Sequence, residues 1–439
     1  MKTGETLMKP PTSRMTSSAK KLRWAAALAS AALALTACSG AQNNSTGNGG
    51  GGGDLKLGLL IPYTGEYSWI GENVEEAVKL ILDEQVNASG GIDGKDVTFV
   101  RGDTEGTVDS GVLAARKLTD TDQVLGFVGP TSLSFTGVRQ VVVDTMTPVI
   151  TPTAGTVEFD TAGTSFFHRT VPSDSLGGRA IVKAITESED LLDGKSFDKV
   201  ALMVGDAPAL VSFEKPITSA MKEFGLPLSS SMHFSVSRQS YRSEVAQVLR
   251  DDPDMIVLVG APADSASIMR QAKQSGYDGS WFVTQDQTNA DYVKLAGAKV
   301  VEGVYGLEEA ASEDAAGLRK TFSAALGHEP KIFQTNSYDA INVMTLAMYQ
   351  AAKTDHEVTR ATIEKRIDEV ANPEQGDVVV TSFEDGKKAI DNGDGIDYQG
   401  LSGPVDFDDY GSITSPFQIL QVKGGAFAPV AVLDAESLK

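Results

Sequence analysis

Short apolar runs alternate with helix-spaced stretches twice along this chain, and that rhythm allows few architectures. Residues 55–61 read as an apolar strand. Within 74–86 the apolar residues Val74, Ala77, Val78, Ile81, Leu82 and Val86 have helical spacing. Gly90-Gly91 stops that helix, 92–95 reads as a turn, and 97–100 is the next strand. A helix over 108–118 and a strand over 124–128 follow. The alternation then resumes: strand 199–204, helices 216–224 and 241–249, strand 255–259, helix 265–272, strand 281–283. The run 255–259 is apolar throughout, as in a parallel strand covered on both faces. Strands and helices in this order build βαβ units around parallel sheets, here in two blocks. The predicted fold class is α/β, with two doubly wound lobes. The roughly 385 residues from Asp54 onward exceed one core's usual size, which also calls for two lobes.

In open α/β sheets, ligands bind outside the carboxyl ends of the strands. That rule points to the loops at 62–69, 129–134, 151–156, 205–208, 260–264 and 284–287. They are rich in hydroxyls, glycines and aromatics, and poor in catalytic residues. His168, His233, His328 and His356 lie far apart without ligand spacing, so no metal site is expected. No phosphate-binding glycine loop and no Gly-x-Ser-x-Gly elbow occurs. The run 391–397 hints at calcium. Gly393 and Gly395 replace two expected side-chain ligands, however, and it reads as a turn leading to a strand. No nucleophile, base and orienting group stand together, so neither an enzyme nor a cofactor is expected.

Cys38 is the only cysteine, and it follows Lys20, Lys21, Arg23 and a short apolar run over 24–36. This is the pattern of a secretory signal over 1–37, too short to span a bilayer. Residues 40–53 are glycine and small polar residues, a flexible tether. The net charge is −21. With six basic residues and one acid in 1–37, the remainder carries 32 basic and 58 acidic groups, near −26. Nucleic-acid binding needs a basic footprint and is not expected. So acidic a body is soluble and reads as a monomer.

Leu35-Thr36-Ala37-Cys38 resembles the lipobox of bacterial lipoproteins. That resemblance implies a lipidated Cys38, a mature chain of 38 onward with 38–53 as linker, and extracytoplasmic anchoring to the cell membrane. A second resemblance spans the chain from Asp54. Its marks are Pro62-Tyr63-Thr64-Gly65, the run 87–95, Ala114-Ala115-Arg116-Lys117-Leu118, Gly129-Pro130, the runs 148–152 and 167–174, Tyr338-Asp339-Ala340 and the run 398–408. In their order they resemble the solute-binding proteins of branched-chain-amino-acid-type ABC importers. The resemblance implies a type I periplasmic-binding fold, two lobes joined by a three-strand hinge. Lobe 1 would be 54–173 with 310–418, and lobe 2 would be 174–309 with 419–439. It also implies a small-molecule solute, an amino acid first, captured in the cleft and passed to an ABC permease. A ligand sensor, or a receptor for amides, urea or aromatic acids, is the alternative.

The resemblance also implies a ligand set. Ser132 and Ser134 bracket the serine that would hold a carboxylate, with Thr153, Gly155 and Thr156 in the next loop. Asp286 would meet the ammonium. Tyr67 or Trp69 would wall the pocket, and Phe333 matches an aromatic position. Structural readings stand beside these: Ser134 as a helix cap, Trp69 as a core aromatic, Asp286 as a cap for a helix near Asn289. Two lobe-2 loops carry Ala207-Pro208-Ala209-Leu210 and Ala261-Pro262 where amino-acid-binding relatives often have aromatics, so a wider pocket, or one shaped for a different ligand, is expected.

Overall fold

The computed structural model describes residues 53–161, 166–310 and 315–438. Cys38, the segment 1–37 and most of the tether lie outside them. Among the described residues no helix is long and apolar enough to cross a membrane.

The first sheet has five parallel strands in the order β2-β1-β3-β4-β5: β1 Leu55–Ile61, β2 Val97–Asp103, β3 Phe127–Val128, β4 Val149–Thr151 and β5 Phe167–Arg169. The second holds β6 Val200–Gly205, β7 Leu228–Phe234, β8 Met255–Val259, β9 Ser280–Val283 and β10 Tyr305–Glu309, all parallel. A small third sheet contains β11 Val378–Val380, β12 Ile396–Gly400 and β13 Gly403–Pro404. The antiparallel pair β14 Phe417–Lys423 and β15 Ala426–Leu433 extends the second sheet beyond β10. The order is β15-β14-β10-β9-β8-β6-β7.

Helices cover both faces of each sheet, as wholly buried parallel strands require. In lobe 1, Ser68–Ile81 and the long Gln334–Thr354 pack on one face, and Val108–Arg116 and Phe135–Thr145 on the other. In lobe 2, Asp174–Thr186 and Glu214–Phe224 oppose Arg242–Val248, Pro262–Gln274 and Ala290–Ala296. The helix expected over 74–86 begins earlier, at Ser68, and its last turn loosens into a wider π-type coil over Leu82–Asn87. β7 escaped sequence reading because Leu228-Ser-Ser-Ser-Met-His-Phe is an edge strand with most positions open to solvent.

The chain passes between the sheets three times: after β5, after β10, and between β13 and β14. Asn336, in the first turn of Gln334–Thr354, gathers these crossings. Its Nδ2 donates to the Thr170 carbonyl at 2.7 Å, to Glu309 Oε2 at 2.7 Å and to Ser402 Oγ at 3.2 Å. Thr170 Oγ1 returns a bond to the Asn336 carbonyl at 2.8 Å. The Ser402 carbonyl accepts from Ser415 Oγ on the third crossing at 3.4 Å. One turn further along the same helix, buried Asp339 accepts from the Leu401 and Ser402 N–H groups and from the Tyr398 hydroxyl. That pairing explains why Tyr338-Asp339 and the run 398–402 belong together, with Tyr338 itself donating to the Thr381 carbonyl. Asp391, in the run that hinted at calcium, instead meets Lys353 and Lys387.

Candidate functional site

The two lobes face each other across a cleft with about 820 Å³ of empty space, part of it open to solvent. The carboxyl ends of the strands supply most of its wall, as the topology demands.

The lobe-1 wall is built around glycine and threonine. Gly129 ends β3 with φ 109°, and a Cβ there would stand 2.1 Å from the Leu60 carbonyl, so only glycine fits. Thr151 then knits two loops together. Its Oγ1 donates to the Pro130 carbonyl at 2.6 Å and accepts from the Thr153 and Ala154 N–H groups, each at 3.2 Å. Ser132 Oγ accepts from the Thr156 N–H at 3.3 Å, which leaves its own proton free for the cleft. Thr131, Ser132, Thr153 and Gly155 make a hydroxyl-rich patch, flanked by Tyr67, Ile70, Leu133 and Phe333.

Behind this patch lies Arg169, almost wholly buried. It donates to the carbonyls of Gly155 and Thr156 at 3.1 and 3.2 Å, to Ser412 Oγ at 2.9 Å, and to Asp160. Asp160 also accepts from Ser173 Oγ at 2.6 Å and from Ser175. The guanidinium is thus spent on the loop and the crossings, and does not line the cleft.

Lobe 2 contributes Ala209, Leu210, Phe213, Thr284, Gln285, Asp286 and Leu307, with Phe417 of β14. Fully buried Gln287 anchors the Asp286 turn: it donates to the Gly260 carbonyl and to Ser265 Oγ, and accepts from Thr284 Oγ1. Asn289, not Asp286, caps the following helix, accepting from Tyr292 N at 2.9 Å. Asp286 is therefore free to face the cleft. Asp174 joins it from the first crossing, one residue past the helix cap Ser173.

Both carboxyls are ringed by protein, and burial is the dominant influence on each. It pushes Asp286 up to about 6. It pushes Asp174 up to about 7, against the lowering effect of the Ser212 hydroxyl and Arg169. No lysine, arginine or histidine stands among the described residues of the lining. The site therefore has hydroxyls, backbone and the Asp174 carboxyl along the lobe-1 wall, the Asp286 carboxyl on the lobe-2 wall, and apolar side chains between.

The lobes also touch across the cleft. Ser212 Oγ accepts from Val157 N at 3.0 Å and donates to Thr156 Oγ1 at 3.3 Å, and Ser237 Oγ donates to Glu66 Oε2 at 3.2 Å. This is a closed arrangement.

Of the expected site residues, Tyr67, Ser132, Thr153, Gly155, Asp286 and Phe333 line one cleft. Trp69 does not; it stacks behind Phe333, centroids 6.1 Å apart and planes 12° apart. Thr156 sits behind Ser132, held by Ser212. Ser134 is fully buried, and its hydroxyl has no partner. It faces the helix Val108–Arg116, where a Cβ on Gly111 would stand 2.7 Å away, and it does not cap its own helix.

A sequence profile described as periplasmic binding protein matches residues 54–426. The chain belongs to the periplasmic binding protein family. A Leu/Ile/Val-binding protein homolog of Brucella abortus is 25% identical over 267 residues, 58% of this chain. That match spans 65% of the relative's length. A chemotactic signal transduction system substrate-binding protein, BasB of Halobacterium salinarum, is 25% identical over 363 residues, 80% of this chain and 82% of that one. Among solved structures, a leucine binding protein, LivK, of Thermotoga maritima aligns with TM-score 0.73 and 20% identity, over 87% of this chain and 99% of that one. The fold of this periplasmic binding protein is thereby the type I fold, with its two α/β lobes.

Sequence reading missed Asp174 and Phe213. Asp174 lies on a crossing, where the rule about strand ends does not reach, although it closes the run 167–174 that carried the resemblance. Phe213 stands three residues past the loop that ended at Leu210. With Phe417 it supplies aromatic wall to lobe 2.

Proposed function

We propose that this periplasmic binding protein captures an α-amino acid in the closed cleft. The observation that carries the reading is a cleft lining that brings two carboxyls and a patch of hydroxyls together without a cation among its described residues. A zwitterion presents an ammonium to Asp286 and Asp174, and a carboxylate to the hydroxyls of Ser132 and Thr153, while its side chain lies against Phe213, Phe333 and Leu307. An aromatic carboxylate would meet two carboxyls and no cation, which the lining disfavours. Lobe closure would hold the solute by hinge motion about the three crossings. Lipidation of Cys38 would keep the body outside the cytoplasm at the membrane surface. Delivery to an ABC permease is the proposed role. The chemotactic relative supports a second reading, in which the same closed form is read by a membrane sensor.

A thermal-shift screen of protein refolded to release carried-over solute tests the reading. A solute at 100 times its dissociation constant stabilises by about 2.7 kcal/mol. An α-amino acid should produce that shift in the native protein and lose it in Asp286→Ala. A response confined to solutes without an amino group would overturn the reading.

A further inference from the structure

The cleft has a neighbour. Gln285 and Phe333 line it on one side and a second chamber on the other, with about 540 Å³ of empty space, part of it open to solvent. Strand β10 runs past both: Leu307 belongs to the cleft, and Glu308 to the chamber. The two spaces differ in character. The chamber holds Glu308, Glu309, Arg319, Lys331 and Gln418, where the cleft holds aromatic and aliphatic walls beside its two carboxyls; Lys331 pairs with Glu76, and Glu309 accepts from Asn336.

Arg319 projects from the helix Ala316–Leu326, half-buried, and its guanidinium forms no hydrogen bond or ion pair among the described residues. Glu308 accepts one hydrogen bond, from Gln418 Nε2 at 3.0 Å. Burial raises the Glu308 carboxyl, and the charge of Arg319 opposes that rise, so the two are within electrostatic reach. They nonetheless make no ion pair. Arginine and glutamate that share a half-buried space gain by pairing, often through two parallel hydrogen bonds. Here a gap keeps them apart, and among the described residues each has hydrogen-bonding capacity to spare.

We propose that this chamber is a second subsite, which takes the tail of the amino acid held in the cleft. The tail ends in a neutral group carrying both an N–H and a carbonyl, a carboxamide or ureido group. The inference rests on the amino-acid reading above and adds the class of side chain. An N–H of the tail donates to Glu308, and its carbonyl accepts from Arg319, so one small group bridges the gap. A tail ending in a second ammonium would meet Arg319 and Lys331, and one ending in a carboxylate would meet Glu308 and Glu309. An apolar tail satisfies neither charge. Phe333 is the partition between the spaces. It holds φ 69°, a backbone conformation rare for a bulky residue, and its ring is backed by Trp69.

The test is calorimetric titration of the full chain in detergent, stripped of solute, with L-glutamine, L-citrulline and the apolar isostere L-homoleucine. Sites built to hydrogen-bond a substrate group reject analogues lacking it, so at least one amide-type ligand should bind about tenfold or more tightly than homoleucine. Arg319→Gln and Glu308→Gln, each checked for native circular dichroism, should bring that preference down to roughly parity while homoleucine affinity stays within about twofold. Homoleucine binding as tightly as both amide-type ligands in the native protein overturns the proposal. So does an equal loss for all three ligands in both variants. In either case the amino-acid reading stands. If none of the three binds, and L-leucine does not bind either, the amino-acid reading itself falls.

Discussion

Asp174 sets its carboxyl where a side chain on Gly155 would have to stand: a Cβ built on Gly155 would lie 2.3 Å from Asp174 Oδ1. The two are also joined through the backbone, Asp174 N donating to the Gly155 carbonyl at 2.7 Å. Glycine at 155 thus lets a residue of the first crossing come flush against the lobe-1 wall. Gly155→Ala should displace that carboxyl. The cost is overpacking of about 1–3 kcal/mol, read by urea denaturation, with amino-acid affinity falling by about tenfold or more in calorimetry.

The two serines that sequence reading left open separate cleanly in the structure. Ser132 Oγ lines the cleft, whereas the buried Ser134 hydroxyl lies off it without a partner. Ser132→Ala should weaken solute binding by about 1 kcal/mol or more, through loss of a hydrogen bond to a charged group. Ser134→Ala should leave affinity unchanged. Its stability should hold or rise, because an unpaired buried hydroxyl is removed. Calorimetry and thermal denaturation of both variants check this.

Much of the rest of the cleft was legible before the structure. The rule that ligands gather at strand ends brought Tyr67, Ser132, Thr153 and Asp286 to a common cleft, because apolar strands such as 255–259 announce themselves. What escaped was set by three-dimensional neighbours. Trp69 and Phe333 are both aromatic and both near the site, and only packing decides which ring faces in. Asp174 owes its place to a crossing, and Ser134 owes its exclusion to a glycine on the adjacent helix. Edge strand β7 lacks an apolar run, so periodicity had nothing to detect.

The raised carboxyls fix the direction of pH dependence. Both are raised above the ordinary carboxylate range, so the folded, empty protein favours their neutral forms. Their stabilising contribution is complete below about pH 4. It is lost as pH rises through about 6 for Asp286 and about 7 for Asp174. Asp174→Asn should therefore raise the melting temperature of empty protein at pH 8 and leave it little changed at pH 4.5. An ammonium ligand works the other way and needs ionised partners, so amino-acid affinity should strengthen from pH 5 to pH 8. Titrations at both pH values check this, with Asp286→Asn expected to flatten the profile.

Asn336 predicts a separable effect on motion. Its Nδ2 reaches the Thr170 carbonyl and Glu309, and both lose a partner in Asn336→Ala. Leaving such buried acceptors unmet costs about 1–3 kcal/mol each at most. The variant should unfold at lower urea. It should also release solute faster in stopped-flow chase experiments, although no atom of the cleft wall has changed. Unchanged release with lowered stability would make Asn336 a packing residue alone.

The most direct test of the central claim is native mass spectrometry of the protein as it is purified, beside Asp286→Ala. The native protein should carry one bound solute per chain, with a free α-amino and carboxyl group, and the Asp286→Ala cleft should be empty. A solute without an amino group, or the same solute retained equally by both proteins, would contradict it.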